Sequence, residues 1–203
     1  MKARLSALCC AMTLLLAACG SASQAPAQPS AIDIGFAQHM SLHHDQAVLL
    51  VRLFLHQHDT ALQDFARSMH DAQLLELGQM RGWLALWDQP RAPSDLSMDW
   101  MLVGSRPPDA ALRAYLLACQ QAPSGMPGLA SQAQINAMLA AQGTARDEHF
   151  LRLMRQHHEG GLPMLQFVAR EAVLPPVRQL AQRMLSEQTR ESVSMAAALS
   201  RLP

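Results

Sequence analysis

The chain carries one segment twice. Asp33-x-x-Phe36-x-x-x-Met40-x-x-His43-His44 returns 114 residues later as Asp147-x-x-Phe150-x-x-x-Met154-x-x-His157-His158. A spacing this long exceeds the period of solenoid repeats. Each copy is therefore a whole supersecondary unit, and the fold has to arrange two equivalent units around a shared core. A second repeated segment follows each copy. Leu62, Ala66, Met69, Gln73, Glu76, Met80 and Leu84 correspond to Val177, Ala181, Met184, Gln188, Glu191, Met195 and Leu199. The offset is now 115, so one residue has been gained in the connection.

Both repeated segments read as helix. β-branched residues are few, and long Ala/Leu/Gln/Arg/Met stretches favour helix over strand. Helices are predicted over about 33–58 with Asp33 as a cap, and over about 60–87 with Thr60 as a cap. Short ones follow over 109–121 and 131–142, the latter capped by Ser131. The last pair spans about 145–171 and 177–202. Pro163 should kink or split the fifth of these, since proline lacks a backbone donor and clashes with the preceding turn. The expected fold class is all-α. Two helical hairpins, repeat one over 33–87 and repeat two over 147–202, are joined by a crossover over 88–143 into a four-helix bundle domain spanning 32–202.

The N-terminus reads as a targeting segment. Lys2 and Arg4 precede a short apolar run that is too short for an ordinary transmembrane helix, so residues 1–18 are expected to be a signal peptide. The run ends Leu16-Ala17-Ala18-Cys19-Gly20. This resembles a bacterial lipobox, which implies lipidation at Cys19, with a plain signal peptide cut nearby as the alternative. Residues 19–31 suit a flexible tether. The expected location is outside the cytoplasm, lipid-anchored to the cell envelope on its periplasmic face or at the cell surface. Cys9, Cys10 and Cys19 belong to the leader and lipobox and only Cys119 remains, so no internal disulfide is expected. Net charge is zero and no basic tract occurs, which argues against a nucleic-acid partner.

The chemistry lies in polar residues that interrupt apolar stripes. Alternating steps of four and three give Phe36, Met40, His43, Ala47, Leu50 and Phe54 on the first helix. The matching helix of repeat two gives Phe150, Met154, His157, Gly161, Met164 and Val168. The second helix of each pair adds Gln73 and Glu76, or Gln188 and Glu191, to its own stripe. Such stripes face a bundle core. An uncompensated buried charge costs several kcal/mol, so a sequence selected for folding alone would place leucine at these positions. Met40, His43 and His44 share one helical face, as do Met154, His157 and His158. Thioether and imidazole together suit copper(I) or silver(I) better than magnesium or calcium. The candidate ligands are these six residues and Met164, supported by Gln73, Glu76, Gln188 and Glu191. His44 and His158 lie one step off the stripe and are expected to be half exposed. His39, His56, His58, His70 and His149 lack complete counterparts, and surface positions are expected for them. The competing explanation is a buried His/Gln/Glu network that only fixes helix register.

Phe-x-x-x-Met-x-x-His-His, followed by Gln73, Glu76, Met80, Trp83 and Leu84, resembles the bacterial family called domain of unknown function 305. Met126-Pro127-Gly128-Leu129-Ala130-Ser131 resembles the turn before the second module of its two-module members. The resemblance covers about 33–199. It implies a ferritin-like helical bundle in exported proteins, some of them associated with copper or silver tolerance, and no enzymatic activity. The family pattern usually has Met three residues after the Ala of His-His-x-x-Ala. Leu50 stands there in repeat one and Met164 in repeat two, so the second half is expected to be the better thioether site. The expected function is soft-metal binding by an exported lipoprotein. Its expected partners are the membrane through its lipid, metal-handling proteins and a further copy of itself. The alternative is a structural or protein-interaction module.

Overall fold

A computed structural model of the chain describes residues 28–203, and the expected leader, the Cys19 lipidation site and most of the tether lie outside them. The described residues are all-helical. In order they form α1 (Ala31–Leu55), α2 (Gln63–Leu86), a 3-10 turn (Asp99–Val103), α3 (Ala110–Gln121), α4 (Gln132–Ala140), α5 (Gly143–Glu171) and α6 (Pro175–Leu199). None of these helices is long and apolar enough to cross a membrane. α1 pairs with α2 and α5 with α6, and the two hairpins meet through α1 and α5.

α1 and α5 run antiparallel. Phe54 near the end of α1 stacks on Phe150 near the start of α5, with ring centroids 3.9 Å apart and planes 6° from parallel. Toward the other end, Gly161 lies against the His43 ring. Because the two helices carry the same motif, this antiparallel pairing sets equivalent residues around a pseudo-two-fold axis. The axis passes between His43 and His157, whose ring centroids are 3.7 Å apart. Apolar clusters lie on either side. One gathers Phe36, Met40, Met80, Met164, Val168 and Met184. The other gathers Leu50, Phe54, Met69, Phe150, Met154 and Met195. These are the same six positions of the repeat, filled alike except that Leu50 stands for Met164 and Phe54 for Val168.

The repeated aspartates serve the architecture. The N-cap of α1 is Ser30, and Asp33 completes a capping box from the third helical position rather than being the cap itself. Its second oxygen accepts from the Leu174 backbone N–H at 3.1 Å. Asp147 likewise accepts from His58 and from the Thr60 hydroxyl, each at 2.8 Å. Each aspartate thus ties its helix to the inter-helix connection of the opposite repeat. Thr60 is spent on this tie and on the Leu62 N–H, and α2 begins only at Gln63.

Pro163 neither splits nor ends α5, which is continuous through it. One ladder hydrogen bond is forfeited, and packing along α1 and α6 holds the helix together. The preceding Gly160 and Gly161 lack side chains where the chain passes closest to its neighbours. Gly160 meets the turn at Pro127-Gly128 backbone to backbone. A Cβ on Gly160 would lie 2.3 Å from the Pro127 oxygen and 2.6 Å from the Gly128 Cα. Gly128 itself has φ +90°, which favours glycine. Just beyond, the Gln46 side chain of α1 accepts from Ala130 N–H at 2.7 Å and donates to its carbonyl at 3.0 Å. The segment 126–130 is thereby seated across both central helices. Ser131 then caps α4 with a capping box, as expected. The 3-10 turn carries Trp100 onto Gly35 and against Phe167.

Candidate metal centre

Four imidazoles lie in a row through the centre of the molecule. Centroid separations are 6.3 Å from His44 to His43, 3.7 Å from His43 to His157, and 6.1 Å from His157 to His158. All four side chains are fully buried. The half-exposed positions expected for His44 and His158 are therefore corrected. Each turns inward because a carboxylate awaits it. His44 Nε2 donates to Glu76 at 2.8 Å and His158 Nε2 donates to Glu191 at 2.7 Å. Glu76 and Glu191 are partners of histidines, although of the off-stripe pair rather than of His43 and His157.

The stripe histidines are held differently. His157 Nε2 donates to the His43 carbonyl at 3.0 Å. His43 has no hydrogen-bond partner on either ring nitrogen. Burial pushes both imidazoles well below the usual histidine range, and the neighbouring imidazoles push them further. Both are neutral at neutral pH, since a proton on either would sit in an apolar interior beside other rings.

Every one of the four rings keeps a buried nitrogen without a partner: Nδ1 of His44, His157 and His158, and both nitrogens of His43. The buried amides of Gln73 and Gln188 also leave polar atoms unsatisfied. Such atoms cost about 1–3 kcal/mol each when nothing answers them. A ring that donates one N–H to a carboxylate and presents its other nitrogen freely has the form of a metal-ligating histidine with its outer partner in place. His44 with Glu76 and His158 with Glu191 have this form.

Met40, Met154 and Met164 are fully buried. Antiparallel packing distributes them across the repeats. Met40 of the first and Met164 of the second share one cluster, while Met154 belongs to the other. Met164 of the second repeat thus packs beside Met40 of the first rather than beside Met154 of its own. Among the described residues, no group of three His, Cys, Asp or Glu side chains converges as a metal site. A metal held here needs the methionine sulfurs. The two central rings are tilted 38° to each other with centroids only 3.7 Å apart, and ligation of both to one ion requires roughly 5 Å or more between centroids, given metal–nitrogen bonds of about 2 Å. One ring has to swing. Gly161 admits the His43 ring where it now lies, since a Cβ there would stand 3.1 Å from its Cε1.

Two histidines expected at the surface are not there. His39 is buried, donating from Nδ1 to the Gly35 carbonyl at 2.9 Å beside Trp100. His58 is half-buried on Asp147. His39 precedes Met40 on an almost wholly buried stretch of α1, and the sequence signal was the small Gly35 one turn earlier, which admits Trp100. Cys119 is buried near Tyr115, away from the histidine row, and burial pushes its thiol up to about 11.

Residues 33–199 match the family described as domain of unknown function (DUF305). Solved structures share the fold. A protein named as a secreted DUF305 member from Streptomyces coelicolor is 29% identical with a TM-score of 0.70, covering 83% of this chain and 92% of that one. A DUF305 fragment from Deinococcus radiodurans is 24% identical with a TM-score of 0.66, covering 87% and 100%. CopM in its Cu(II)-bound form is 20% identical with a TM-score of 0.60, covering 83% and 95%. No functionally curated protein is detectably similar.

Proposed function

The chain belongs to the DUF305 family, and from that premise we propose that it is an exported lipoprotein that binds copper(I) or silver(I) for buffering or tolerance. One observation carries this reading: four buried imidazoles each leave a ring nitrogen unanswered, in a core rich in thioethers. Neutral imidazole and thioether are the donors that a soft monovalent ion prefers. His43, His44, His157 and His158 would hold the ion with Met40, Met154 and Met164, while Glu76 and Glu191 orient the outer rings. Gln73 and Gln188 stand beside them. A copper-bound protein and a protein named as secreted on the same fold support the reading. The role is one of binding, not catalysis. Lipidation at Cys19 would hold the protein at the envelope, where metal-handling proteins could exchange the ion with it.

The test is a titration of the purified protein with copper(I) under anaerobic conditions against a chelator of known affinity. Saturable binding lost in the double variant His43→Ala, His157→Ala, with helicity intact by circular dichroism, is expected. Unchanged affinity would remove these histidines from the site. A second reading draws on the Glu76–His44 and Glu191–His158 bonds, which by themselves fix helix register. It expects the same variants to alter stability while the protein binds no metal.

A further inference from the structure

The outer face of the first hairpin carries a groove that the histidine centre does not use. It lies between the last turns of α1 and the first turns of α2, and its volume is about 660 Å³. Ligand pockets generally fall within roughly 300–1,000 Å³. Leu49, Val51, Leu53 and Leu55 give it an apolar wall, and Arg52, His56, Arg67 and His70 give it a basic rim. No acidic residue lines it. Asp71 engages His70 from outside the groove. Among the described residues, neither Arg52 nor Arg67 forms an ion pair.

The second repeat is an internal control. If the fold required this composition, the equivalent positions of α5 and α6 would share it. They share it at one position only, where His56 corresponds to Arg170. Arg52 corresponds to Gln166, Arg67 to Gln182 and His70 to Leu185. Leu49, which is 45% exposed, corresponds to Pro163. Leu53 corresponds to Phe167, which is buried against Trp100, whereas Leu53 is only half-buried. In repeat two the phenylalanine is packed away and the edge keeps a single basic residue, Arg170. In repeat one the face is apolar within and carries four basic residues at its edge.

We propose that this groove binds an anionic single-chain amphiphile of the fatty-acid class. Its carboxylate would pair with Arg52 and Arg67, and its hydrocarbon chain would lie along Leu49, Leu53 and Leu55. A guanidinium–carboxylate pair fixes the head, and burial of the chain adds affinity with each methylene seated.

The probe is dodecanoate below its micellar concentration, titrated calorimetrically into the purified protein. Dodecyltrimethylammonium and dodecyl maltoside serve as head-group controls. One saturable site for dodecanoate is expected, with weaker or no binding of the cationic and neutral heads. Decanoate should bind about tenfold or more weakly, for two methylenes lost at roughly fourfold each. Arg52→Glu with Arg67→Glu should weaken dodecanoate about tenfold or more by setting like charge against the head. Gln166→Glu with Gln182→Glu, at the equivalent positions of repeat two, should leave it unchanged. All four positions are exposed, so folding is preserved and is checked by circular dichroism. Equal binding of all three head groups overturns the proposal, as does equal loss in both double variants or uptake only above the micellar threshold. So does a dimer that occupies the groove, seen as doubled mass in sedimentation and lost on Leu49→Asp.

Discussion

Replacing Gly160 by alanine should destabilise the protein, although alanine is the better helix former. Taken alone, the change favours an interior helix position by about 1 kcal/mol. The added methyl would stand 2.3 Å from the Pro127 carbonyl oxygen and 2.6 Å from the Gly128 Cα. Carbon contacts settle near 3.5–4.0 Å, so the turn has to retreat by about 1 Å. The atoms it meets are backbone, and no side-chain rotation relieves them. Retreat strains the two hydrogen bonds from Gln46 to Ala130, worth about 1 kcal/mol each. It also withdraws Met126, now 2% exposed, from the core, at about 1.5–3 kcal/mol if lost entirely. After the helix gain is subtracted, the net loss is about 2–4 kcal/mol. Gly82→Ala is the matched control, because nothing lies within 4 Å of its would-be Cβ. It should stabilise by up to about 1 kcal/mol. Urea unfolding followed by circular dichroism measures both. A Gly160→Ala protein as stable as the parent would show that the turn does not press on α5.

Further outcomes follow from the same contacts. Asp147→Ala should cost about 1–2 kcal/mol for the bonds from His58 and Thr60, read as a lowered urea midpoint. Asp33→Ala should cost at least as much, since it breaks a capping box and the tie to Leu174. Phe150→Ala, which removes half of the central stack with Phe54, should cost about 3–5 kcal/mol. Cys119 should resist iodoacetamide at pH 8. With its thiol pushed up to about 11, only about one part in a thousand is thiolate there, and the side chain is buried as well. Labelling should become fast in urea, and rapid labelling of the native protein would place the thiol at the surface instead.

What the sequence made legible was periodic. The stripe through Phe36, Met40, His43, Ala47, Leu50 and Phe54 appears in the structure as one buried face, because helix geometry maps spacing onto direction. The duplication made the hairpin pairing legible too. The misses were those of context. His44 lies off the stripe, and its burial depends on Glu76 of a neighbouring helix, a pairing that local periodicity does not encode. Pro163 was read by its local cost, yet one missing hydrogen bond is small against a helix packed on both sides. Asp33 and Asp147 were visible as repeated residues. Their ties run to the opposite repeat, over 141 and 87 residues, and only the tertiary arrangement shows them. The 3-10 turn at Asp99–Val103 lies between proline-rich breaks with no apolar period to mark it.

The pseudo-symmetry turns the metal hypothesis into a question about two unequal halves. One cluster holds Met40, Met80, Met164 and Met184, and its counterpart holds Met154, Met195, Leu50 and Met69. At these repeated positions a single thioether distinguishes them, while the crossover adds Met98, Met101 and Met126 to the first and Met138 to the second. The helix backbone adds to the difference, because Gly161 faces His43 where the other half has Ala47 in the corresponding place. If the proposed site uses these sulfurs, the half with Met164 and a free His43 ring should fill first. Met164→Leu should then weaken the tighter phase of a copper(I) titration, while Leu50→Met should strengthen the weaker one and bring the two equivalents together. Both exchanges nearly conserve volume and should cost less than about 1.5 kcal/mol in stability, so an affinity change would not be a folding effect. Identical titrations for both variants and the parent would mean that neither position supplies a donor. The search for ligands would then narrow to the imidazoles alone.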